Sequence, residues 1–85
     1  MSKIQEEIAR GNKAAEVLRN PAFEEAFEVL HNHYLETWQN THPDEAETRE
    51  KIFIAINVLK DIRANIESVM TTGKLAGEEG SKAFH

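Results

Sequence analysis

Glu28 and His31 stand three residues apart, the spacing with which carboxylate-bridged metal bundles present a ligand pair from one helix. Such centres draw a pair from each of two helices, and Glu-x-x-His occurs once in these 85 residues. A phase of about 100° per residue also turns Glu28 away from the apolar sector of its segment. The pair therefore reads as a solvated carboxylate beside a histidine at the edge of an apolar stripe. His33 flanks the opposite edge, His42 belongs to a turn and His85 is terminal, so neither metal nor cofactor is expected. No serine suits a nucleophile: Ser2 stands where a helix needs a cap, Ser68 on a helix flank and Ser81 near the end. Gly77-x-x-Gly80 lacks the following helix whose N-terminus would hold a phosphate. No two carboxylates share an apolar pocket that would split their pKa values for acid–base work. An enzyme is not expected.

Cations offer more. Arg63 interrupts an apolar stripe between Leu59 and Ile66. In an antiparallel pairing it arrives near Asn20, where it caps the carbonyls ending the first helix or meets an anion or a partner. Arg49, with Glu45, faces the Tyr34/Trp38 end, where stacking on an aromatic ring or a bond to a hydroxyl is the expected use. Arg63, Arg49 and Lys60 are the candidates for contact with an anion or a partner.

Ten Lys and Arg against fifteen Asp and Glu leave a net charge of −5, which argues against a general nucleic-acid binder. With 40% apolar and 29% charged residues, the chain reads as one folded domain. The lack of cysteine excludes a disulfide framework and a thiolate metal site. No apolar run approaches the ~18 residues that span a bilayer, and no signal-peptide pattern opens the chain, so a cytoplasmic location without membrane contact is expected.

The elements that position these residues are all helices. Ser2 and Gln5 form a capping-box pattern, and Asn20-Pro21 and Thr41-His42-Pro43 each place a cap before a proline suited to a first helical position. Gly73 reads as a left-handed C-terminal cap. The spacing thus predicts helices over about 3–19, 21–40 and 43–72, an antiparallel hairpin of the second and third, a single domain over 1–75 and a flexible tail over 76–85. Gly11 either permits close helix approach or is a surface irregularity. The stretch Ile52–Leu59 is apolar most of the way round, and the first helix offers little to cover it. Ile54, Val58, Ile62 and Val69 are therefore expected to form an interface between copies of the chain.

Arg10-Gly-Asn-Lys-Ala14, Asn20-Pro-Ala-Phe23 with Glu25-Ala-Phe27, Tyr34-Leu-Glu-Thr-Trp38, Arg49-Glu-Lys51 and Thr72-Gly-Lys-Leu-Ala76 follow in that order. Over about residues 5–76 this pattern resembles a family of small tailed-phage proteins without assigned activity, often encoded among virion genes. The resemblance implies a phage context and supplies no catalytic or binding residues. Together, these readings predict a small all-α interaction module that self-associates, as a dimer or higher homo-oligomer. It would serve as a phage accessory, structural or assembly protein in the bacterial cytoplasm or with the virion, in contact with another phage or host protein. The alternative expectation is a counter-defence binder that captures a host protein or a small nucleotide signal.

Overall fold

The computed structural model describes residues 2–83. Its elements are α1 (Lys3–Arg19), α2 (Pro21–Gln39) and α3 (Ala46–Ala83), with no strand among the described residues. The starts of α1 and α2 follow from local chemistry. Ser2 Oγ accepts from the Gln5 backbone N–H at 3.2 Å, and Gln5 Oε1 accepts from the Ser2 N–H at 3.3 Å, so two orphan donors are satisfied reciprocally. Asn20 alone separates α1 from α2. Its extended backbone ends the first helix, and its side chain accepts from the Ala22 N–H at 2.8 Å to start the second. Pro21 occupies the first helical position, where its missing N–H costs nothing.

The third helix departs from the expected boundaries at both ends. Pro43 lies in the turn, not at a first helical position, and α3 begins at Ala46. Glu45 closes that turn: its carboxylate accepts from the His42 N–H at 2.9 Å and its carbonyl accepts from Arg49 at 3.0 Å. At the other end Gly73 does not stop the helix. No glycine in the described chain has a positive φ, and α3 continues to Ala83. Residues 76–83, expected as an aperiodic tail, are helical, and Ala76 is among the most buried side chains at 4% exposure. Phe84 and His85, also assigned to that tail, lie outside the described residues.

Gly73 is used for close approach instead. A Cβ on Gly73 would stand 2.7 Å from both the Glu7 carbonyl oxygen and the Gly11 Cα, and a Cβ on Gly11 would stand 2.8 Å from the Gly73 Cα. The backbones of α1 and α3 meet there, with Ala14 and Ala76 buried on either side. Small residues at spacings of three and four carry this contact, which is why the segment shows no period of large apolar side chains.

Both shorter helices run antiparallel to α3. Arg49 meets Trp38, Arg63 meets Phe27, Gly73 meets Gly11 and Gly77 meets Ile8. α1 and α2 therefore lie end to end along one long helix, and most tertiary contact joins α1 to α3. The molecule measures 62 × 24 × 19 Å, an elongated layer rather than three helices around a common axis. No side chain among the described residues is fully buried; Ala14, Ile56 and Ala76 are the buried apolar ones.

Candidate interaction surface

α3 meets α2 along Ile52, Ile56, Leu59 and Arg63, which are buried or half-buried. α2 answers with Phe23, Phe27 and Tyr34, all half-buried. The other side of α3 is uncovered: Ile54 is 53% exposed, Val58 51% and Ile62 50%. Val69, the fourth residue expected there, is half-buried and lines a small cleft with Glu7 and Arg10 of α1. The division has a geometric cause. α1 ends at Arg19 and reaches only the C-terminal half of α3, so Met70 and Val69 gain cover that Ile54, Val58 and Ile62 do not. Leu30 of α2, which belongs to the same apolar sector, stands about 60° off the line through Phe27 and remains 43% exposed.

The three candidate cations are not brought together. Arg49 lies over the Trp38 ring at 4.0 Å and donates from Nη1 to Thr41 Oγ1 at 2.9 Å, the stacking and hydroxyl contact that its position suggests. These bonds tie the α2–α3 turn together. Arg63 does not cap α1 near Asn20; its guanidinium lies 5.0 Å from the Phe27 ring centroid and pairs with Glu67 at 3.2 Å. That ion pair joins neighbouring turns of one helix and contributes little to stability. Lys60 is exposed.

His31 stacks on Phe27 with ring centroids 6.2 Å apart and planes 8° apart. It shares a shallow cavity of about 360 Å³ with Glu24, Glu28, Phe27 and Arg63. No cluster of three or more His, Asp or Glu able to hold a metal occurs among the described residues.

A second cavity, of about 400 Å³, lies between α1 and α3. The backbones of Gly11 and Gly73 help form its wall, and Asn12, Arg19 and Lys74 line it with no carboxylate. Sequence reading did not place Arg19 and Lys74 on one cavity. The available signal was Arg19 following Gly11 and Ala15 at intervals of four on one helical face, but its partner lies 55 residues away in the chain.

No described helix is long and apolar enough to cross a membrane. No family model, curated protein or solved structure matches the chain.

Proposed function

We propose that the protein is a small helical interaction module that works as a homo-oligomer, an accessory, structural or assembly protein of a phage, and not an enzyme. The reading is supported above all by the uncovered strip Ile54, Val58 and Ile62, with no fully buried side chain among the described residues. Fully burying an aliphatic side chain is worth about 1.5–3 kcal/mol, so half-exposed side chains forgo a sizeable share of a small domain's whole stability. A second copy recovers it. The phage setting is supported by the sequence resemblance, and with it a place in the bacterial cytoplasm or on the virion and contact with another phage or host protein. Nucleic acid and membrane surfaces are not its partners in this reading, since a chain of net charge −5 is repelled by phosphate-rich surfaces.

Light scattering at micromolar concentration tests the reading. A mass of two or more chains is expected, and Val58→Glu is expected to lower that mass while leaving the helical circular dichroism in place. A wild-type monomer with a cooperative melting transition would overturn it.

A second reading, a counter-defence binder that captures a host protein or a small nucleotide signal, is supported by the cavity between α1 and α3. Its volume lies in the range of small-molecule sites, and Arg19 and Lys74 give it positive charge in an otherwise acidic chain. A thermal-shift screen against a nucleotide panel tests it, because a ligand that binds only the folded state raises the melting temperature by mass action. Arg19→Ala should abolish any such rise.

A further inference from the structure

We infer that the partner of the open surface is a second copy of this chain, docked face to face across the uncharged side of the α2–α3 layer, with Leu30 of α2 sharing the contact with Val58 and Ile62 of α3. The inference rests on the self-association proposed above and deepens it, because it adds α2 to the interface and fixes which side of the layer is used.

Helical phase separates the two sides. With Phe27 as origin, Leu30 and Ala26 fall about 60° and 100° to one side, and His31, Glu24 and Glu28 about 40°, 60° and 100° to the other. With Ile56 as origin, Leu59, Ala55 and Ile62 fall about 60–120° to one side, with Val58 beyond them. Lys60, Phe53 and Asn57 fall about 40–100° to the other. Antiparallel helices are related by a twofold axis normal to their common plane, so equal phases emerge on the same side of the pair. Ala26 and Leu30 therefore share a side with Ala55, Ile62 and Val58. The charged residues of α2 gather on the opposite side, where Glu24 and Glu28 share a cavity with His31.

Over 23–37 of α2 and 55–66 of α3 this side carries no Asp, Glu or Lys, and Arg63 lies on the contact line itself; His33 and Thr37 are its polar residues, flanking the aliphatic patch of Ala26, Leu30, Ala55, Leu59 and Ile62. That is the property a copy requires. Each chain carries −5, so two copies repel through their acidic faces and can approach closely only where charge is absent. A twofold contact joins a patch to itself, and an aliphatic patch is complementary to itself. The area is close to the lower bound for a specific interface. A strip about 20 Å wide, two helices at their usual spacing, and about 22 Å long projects to about 450 Å² per copy. Two copies together cover about 900 Å² before side-chain relief is counted, on the scale of the ~1,000 Å² that a specific interface needs. Ile62 lies near mid-length of the strip, close to a twofold that crosses the helices, and Val58 borders it at the outer edge of α3.

Two matched substitutions test the side used. Leu30→Glu should raise the dimer dissociation constant at least about tenfold in a light-scattering dilution series, because each contact would desolvate two carboxylates. Leu35→Glu, an equally drastic change at a similarly exposed leucine on the other flank of α2, should change it less than about threefold. A second measurement does not depend on how well the Glu variants fold. The chain has no native cysteine, so Ile62→Cys should oxidise to a disulfide-linked dimer, and Lys60→Cys should not. A wild-type dimer unaffected by Leu30→Glu, one that cross-links through Lys60→Cys alone, or a trimeric mass overturns the face-to-face inference and leaves self-association standing. A monomeric wild type overturns both.

Discussion

The contact between Gly11 and Gly73 makes opposite predictions for glycines only four residues apart. A methyl group on Gly73 would lie 2.7 Å from the Glu7 carbonyl oxygen and from the Gly11 Cα, whereas ordinary contact begins near 3.4 Å. The opposing atoms are backbone and cannot rotate away, so α1 and α3 must part by roughly 0.7 Å, the difference of those distances. A gap of that size forfeits about a quarter to a half of the dispersion attraction across the contact. Overpacking of this kind costs about 1–3 kcal/mol, against which alanine gains up to about 1 kcal/mol in helix propensity. Gly73→Ala should therefore be destabilising by up to about 2 kcal/mol net, and Gly11→Ala likewise. Gly77→Ala meets only the Ile8 side chain at 3.9 Å and keeps the propensity gain, so it should stabilise by about 0.5–1 kcal/mol. In a domain of this size 1 kcal/mol moves the melting midpoint by about 4–8 °C, so the two changes should separate clearly in a thermal scan followed by circular dichroism. If Gly73→Ala raised the midpoint as Gly77→Ala does, the close approach of α1 to α3 would be refuted. Helix three would then end near Gly73 or run free of α1.

Three further outcomes can be measured with the same preparations. Ile56→Ala, at the most buried large side chain of the α2–α3 contact, should lower stability by about 2–4 kcal/mol in urea titrations. Arg49→Ala should cost about 1 kcal/mol and red-shift the emission of Trp38, the single tryptophan, because the guanidinium over its ring would be replaced by water; an unchanged spectrum would count against the stacking. Addition of zinc, iron or manganese should move the melting temperature by no more than about one or two degrees, and a large chelator-reversible rise would restore Glu28 and His31 as ligands.

The open strip was legible as a surplus. Ile54, Val58 and Ile62 lie off the stripe that α2 can cover, and counting apolar positions around α3 is enough to see that. Which residues of α2 join them was not legible. Leu30 belongs to the same apolar sector as Phe27, and only the azimuth at which α3 settles decides that Phe27 turns in and Leu30 stays half out. Arg63 shows the same limit. Its place in the stripe foretold a partner, but the partner followed from the axial register of α2, which puts Phe27 rather than Asn20 beside it.

What the sequence determined by itself was the set of helices and the break between the first two. Ser2 with Gln5 and Asn20 with Pro21 act through bonds spanning two or three residues, and such bonds form wherever the chain goes. Tertiary structure decided the fate of Gly73. A glycine following a helical run serves equally as a left-handed stop or as a place where another backbone can touch, and nothing within a few residues separates these uses. The choice is made by Gly11, 62 positions earlier, whose own missing side chain lets α1 settle against α3. Once that contact forms, burial of Ala14 and Ala76 holds the helix through the glycine to Ala83.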